Sequence, residues 1–152
     1  MDRQLIQVGF RRRFDTEYAD LRALIASGEI GAPLLVHCTH RNPDVPSHFN
    51  SEMMIRDSVV HEVDVVRFLL DTVISAVTVH KGLATSKAPH GVNDPMMVIF
   101  ETASGAVATD EIFVRPGIGY EVRTEVVGAS GSAIIGLDTS LGIVSPERLC
   151  PV

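Results

Sequence analysis

From position 73 onward the chain consists of short segments rich in β-branched residues, at 73–84, 95–102, 106–115, 120–127 and 132–137. Val, Ile and Thr are stiff at χ1 and pack well on a pleated surface, so these segments read as strands. Ala103-Ser104-Gly105 and the stretch from Gly128 to Gly131 leave room only for tight reversals. Neighbours joined this way are antiparallel, and the last three strands read as a meander.

The first 72 residues follow a different period. Asp15 caps a helix in which Tyr18, Leu21, Leu24 and Ile25 recur at helical spacing, and Gly28 and then Gly31-Ala32-Pro33 end it. A strand follows over 33–41, with Leu34, Val36, Cys38 and His40 on one side and Leu35, His37 and Thr39 on the other. A polar loop over 42–51 with Pro43 and Pro46 separates it from a second helix at 57–70. In that helix Val59, Val63, Val66 and Leu70 form one apolar stripe, Asp57, His61, Asp64 and Phe68 lie opposite, and Asp57 and Ser58 are placed to cap it. Residues 5–10 read as a strand with no earlier neighbour, and 139–152 show no periodicity.

Helix, strand, helix and then a run of strands implies an α+β fold: an open, mainly antiparallel sheet with helices packed on one face. At 152 residues, 45% of them hydrophobic, the chain supports one domain spanning 1–152. The helices leave the second sheet face bare. Either alternating set, Met97 and Ile99 or Met96, Val98 and Phe100, makes that face apolar, which predicts a homo-oligomer through it.

A net charge of -6 argues against nucleic acid or an anionic membrane as partner. Arg11-Arg12-Arg13 is the one basic cluster and reads as a local anion site or a solvated loop. Cys38 and Cys150 form no CxxC pair, which fits a reducing, cytoplasmic setting. With no apolar run of eighteen residues and no basic-then-apolar leader, neither a membrane span nor a secretory signal is expected.

The chemistry concentrates on His61, four residues after Asp57. A carboxylate at that helical spacing is within reach of the imidazole, and such a histidine can take a proton near neutral pH. His40 stands at the end of its strand. His61-Glu62 begins like a zinc-protease pattern, but Val65 stands where the second ligand belongs. A metal hydrolase using His37, His40 and His48 is an alternative that strand alternation disfavours, since it separates His37 from His40. Gly117-Ile118-Gly119 and Gly128 to Gly131 precede strands, so neither aims a helix terminus at a phosphate.

Four segments, 8–15, 40–43, 57–64 and 120–128, together resemble the C-terminal, substrate-binding domain of the inositol dehydrogenase group within the glucose-fructose oxidoreductase-like family of NAD(P)-dependent dehydrogenases. The resemblance implies that His61 is the general base for a cyclic polyol or sugar hydroxyl and that Asp57 orients it. It also implies that His40, Asn42 and Tyr120 surround the substrate hydroxyls. The family's glycine-rich nucleotide turn and catalytic lysine have no counterpart here, and Lys81 and Lys87 match nothing in that role. The chain therefore reads as the substrate half of such an enzyme, truncated at both ends. NAD or NADP belongs to the full-length enzyme, with no cofactor and no activity expected of this part by itself. A non-catalytic ligand-binding or assembly module on the same sheet is the alternative.

Overall fold

The computed structural model describes residues 8–86, 88, 91–114 and 119–136. A 3-10 turn, Arg11–Phe14, leads into α1, Thr16–Ser27. The Asp15 side chain accepts hydrogen bonds from the Glu17 and Tyr18 amides at the start of α1. Gly28 closes the helix with φ 78°, a left-handed conformation that costs a residue without Cβ little. The predicted strand at 5–10 is not formed where it is described: Val8 to Phe10 lie outside any strand, and the rest of it, like the 139–152 tail, falls outside the described residues.

β1 spans Pro33–Arg41, the predicted bounds. The second helical region begins earlier than its apolar stripe suggests. Asn50, not Asp57, is the cap: its side chain accepts from the Met53 amide at 3.0 Å. From there a short α2, Ser51–Met53, a π-helical turn, Met54–Val59, and α3, Val60–Leu70, run on without a break. The wider π turn shifts the register: of the predicted stripe Val59 and Val66 are buried but Val63 and Leu70 only partly, and Glu62, Val65 and Leu69 complete the buried side. Asp64 is buried as well, against expectation.

The remaining strands are β2, Ile74–Lys81; β3, Met96–Thr102; β4, Val107–Phe113; β5, Glu121–Gly128; and β6, Ser132–Ile135. They form one sheet in the order β2-β3-β4-β1-β5-β6. The predicted meander of the last three strands is therefore corrected. β1 inserts between β4 and β5, parallel to the first and antiparallel to the second, and all other pairs are antiparallel. At the start of this insertion a Cβ on Gly128 would lie 2.1 Å from the Ile30 carbonyl oxygen, so only glycine lets β5 come this close to the chain entering β1.

α1 and α3 cover one sheet face. Beneath them Val36, Val98, Phe100, Ala108, Ile112 and Val126 are fully buried, joined by Tyr18 and Leu21 of α1 and Val65, Val66 and Leu69 of α3. Each such aliphatic or aromatic side chain contributes about 1.5–3 kcal/mol by leaving water. The other face carries the outward set Leu35, Met97, Ile99 and Ile134, but also an ionic ladder in which Arg41 bridges Glu111 and Glu121. It is thus mixed, not uniformly apolar. No helix among the described residues is long and apolar enough to cross a membrane.

Candidate active site

Strand alternation sends His40 of β1 toward the helices and leaves Arg41 on the bare face. α3 lies over His40, and the turn of Arg11–Phe14 closes the site from the side. Here the five residues singled out from the sequence meet. His40, Asn42, Asp57, His61 and Tyr120, with Arg11 and Arg12, line one cavity of about 230 Å³. Residues as distant in sequence as Arg11 and Tyr120 are brought together because β1 and β5 are neighbours in the sheet and α3 crosses above them.

Each side chain has a distinct setting. The His61 ring is 6.2 Å from the Phe10 ring, edge to face at 86°, and 6.2 Å from the His40 ring. Burial and the nearby Arg12 charge lower the His61 pKa from 6.5, so at neutral pH the imidazole is unprotonated and able to accept a proton. Asp57 departs from its expected geometry. Its carboxylate takes a hydrogen bond from Arg56 Nε at 3.3 Å, and among the described residues none joins it to His61. The π turn between them is the reason, since the i to i+4 alignment assumed from sequence holds only for α-helix. Asn42 Nδ2 is 3.4 Å from His40 Nε2. Tyr120 is 52% exposed at the cavity rim.

Little in the local sequence pattern signals what lies behind the cavity. Glu62 is fully buried and receives Arg12 on Oε1, while His40 Nδ1 stands 3.3 Å from Oε2. Burial pushes the Glu62 carboxyl up, but the His40 hydrogen bond and the Arg12 charge outweigh it and hold the group below its ordinary range. One residue along, Arg13 Nε reaches both oxygens of Asp64 at 2.9 and 3.0 Å. The arginine triplet is thus no solvated loop: two of its members clamp α3. The signal was the paired spacing of Arg12-Arg13 with Glu62 and Asp64, legible only once the two segments are known to touch. His37 hydrogen-bonds Thr109 on the bare face, so it cannot join His40 around a metal. Among the described residues no group of three or more His, Cys, Asp or Glu is arranged to hold one.

Among the described residues no helix start is free to hold a dinucleotide phosphate. The described helix starts are occupied by side-chain caps, Asp15 on α1 and Asn50 on α2, where a bound phosphate needs free amides. What the cavity offers is a set of short polar donors and acceptors around a neutral imidazole, suited to a small hydroxylated ligand.

Known proteins share this sequence pattern and this fold. An inositol 2-dehydrogenase of Rhodococcus erythropolis is 57% identical over 141 residues, 93% of this chain and 41% of the relative. One from Streptomyces avermitilis is 49% identical over 136 residues, again 40% of the relative. The crystal structure of myo-inositol dehydrogenase from Lactobacillus casei in complex with NAD(H) and myo-inositol superposes with a TM-score of 0.84 at 34% identity, covering 89% of this chain and 40% of that one. The chain thus spans about 40% of the length of these relatives. Residues 18–134 match the family described as GFO/IDH/MocA C-terminal domain, and on that match, with the α+β sheet and helix arrangement above, the chain belongs to that family.

Proposed function

We propose that this chain is the substrate-binding and catalytic-base half of an NAD(P)-dependent oxidoreductase that oxidises a CH–OH group of inositol or a related cyclic polyol or sugar to a ketone. The observation that carries the reading is the single cavity lined by His40, Asn42, Asp57, His61 and Tyr120. Hydroxyl groups both donate and accept, so a ligand bearing several of them is best held by amide, imidazole and phenol groups fixed on rigid elements. His61 accepts the proton of the hydroxyl being oxidised. Its depressed pKa keeps it in the basic form, and lowering the pH far enough to protonate it abolishes that function. Asp57, at the same cavity, orients the substrate and balances the imidazolium through the field across the site instead of through a direct bond. The hydride acceptor is supplied outside the described residues, and recognition and proton removal are what these residues contribute.

The bare sheet face supports a second element of the reading, a homo-oligomer. Leu35, Met97 and Ile134 are each close to 40% exposed on it. Apolar side chains grouped on one flat surface favour burial against a like surface.

Calorimetric titration of the chain with myo-inositol tests the site, with binding expected for the wild type and lost in His61→Ala combined with His40→Ala. NAD added to the chain by itself is expected to give no heat. Absence of polyol binding together with NAD binding would overturn the reading. In an enzyme joining this domain to a nucleotide-binding half, His61→Ala is expected to lower turnover about a hundredfold or more, with Asp57→Asn milder.

A further inference from the structure

Glu62 follows the proposed base in sequence but points to the other side of α3, into the protein, with no exposed surface. Both its oxygens are occupied, one by Arg12 and the other by His40 Nδ1. An ionised carboxylate can only accept, so the hydrogen between Glu62 and His40 sits on Nδ1. That assignment fixes the rest of the ring. Nε2 is left with its lone pair, facing the Asn42 amide nitrogen at 3.4 Å and the cavity.

The cavity's composition gives this tautomer a use. Arg11, Arg12 and the Asn42 amide nitrogen are donors, and a ligand hydroxyl they hold beside His40 needs an acceptor there for its own hydrogen, apart from Asp57 and His61 elsewhere in the lining. Resting on the polyol reading above, we infer that Glu62 is a positioning residue: it holds His40 as the Nδ1–H tautomer, so that Nε2 accepts a hydrogen bond from a ring hydroxyl next to the one His61 deprotonates. The 6.2 Å between the two imidazole centroids leaves room for two adjacent hydroxyls of one ring. Arg12 completes the device. By neutralising Glu62 it keeps the carboxylate ionised in a site without water, which a lone buried acid would not remain.

Long-range ¹⁵N NMR of the histidine rings in this chain tests the inference. The expected wild-type signature for His40 is a protonated Nδ1 and an unprotonated, pyridine-type Nε2. Glu62→Gln is expected to shift the ring toward the Nε2–H form and to weaken myo-inositol binding about tenfold or more, the scale of losing a partner that fixes a tautomer. If that variant fails to fold because Arg12 is left unpaired, R12M/E62Q removes both charges at similar volume and carries the same expectation. An Nε2–H ring in the wild type overturns the inference whatever binds. Unchanged inositol affinity in a folded Glu62 variant overturns the positioning role while the polyol reading stands. A wild type with the expected tautomer that binds no inositol overturns the polyol reading, and this role with it.

Discussion

The two faces of the sheet carry the same chemistry under opposite conditions. Adjacent residues of β1 point to each: His40 inward to a carboxylate paired with Arg12, and Arg41 outward to Glu111 and Glu121. Inside, Glu62 has no exposure and Arg12 about 10%. Outside, Arg41 and its partners keep between 22% and 31%. Desolvation is what separates them. A buried pair is costly to make and far costlier to break, because one partner's removal strands a charge without water. A half-exposed pair gains and loses little, because water replaces the missing partner. The helix-covered face therefore fixes the geometry of a site, whereas the bare face remains free to meet another surface.

The comparison is most exposed to failure at Arg12. Arg12→Ala should cost about 3–5 kcal/mol in urea unfolding, since it leaves the buried Glu62 without its cation and with only the His40 hydrogen bond. A loss below about 1 kcal/mol would mean that water reaches the buried face and that the two sides do not differ in kind.

Asp110 sharpens the same point from the opposite direction. It is fully buried beside Cys38 on the helix-covered face, and neither carboxylate oxygen has a hydrogen-bond partner among the described residues. Burial, with the Glu62 charge adding to it, raises its pKa well above 3.8, so the folded chain binds this proton more tightly than the unfolded chain does. The stability this gives is complete below the unfolded pKa and is withdrawn as pH rises from there toward the folded value. Asp110→Asn removes the titration. It should raise stability relative to wild type at pH 8 by on the order of 1 kcal/mol or more, with the difference shrinking toward pH 3, as followed by urea melts across pH.

The smallest effect belongs to the bare face. Arg41→Ala should change the stability of the monomer by less than about 1 kcal/mol. Sedimentation or light scattering gives the more telling readout, because removing the cation leaves Glu111 unneutralised and Glu121 with Arg123 alone on the surface proposed to self-associate. A weaker oligomer with near-normal monomer stability is expected. Full loss of monomer stability would place Arg41 with the buried pairs.

Much of the architecture was legible because it is written in local terms. Alternation in β1 separated His40 from His37, the Asp15 cap and Gly28 stop bounded α1, and β-branched segments between short turns fixed the number of later strands. Asp57 and His61 could be named from their helical spacing and His40, Asn42 and Tyr120 from the family resemblance, and all five line one cavity. The errors arose where a neighbour distant in sequence decides. Nothing local to β4 and β5 says that β1 comes between them, since strand order depends on which faces must be buried together. The stripe on α3 was misplaced because a π turn cannot be seen in hydrophobic spacing, and because the ion pair with Arg12 lets Glu62 occupy an apolar position.

The sequence by itself determined the class of fold, the residue types available for the proposed proton transfer and hydroxyl recognition, and the bounds of β1, since these depend on period, propensity and side-chain chemistry. Only the tertiary structure decided that β1 is central, that Asp57 and His61 share a cavity without sharing a hydrogen bond, and that Glu62 and Arg12 stand behind His40. Those outcomes depend on desolvation and on contacts across 50 residues of chain, and a charge has no fixed meaning until its surroundings say whether water can reach it.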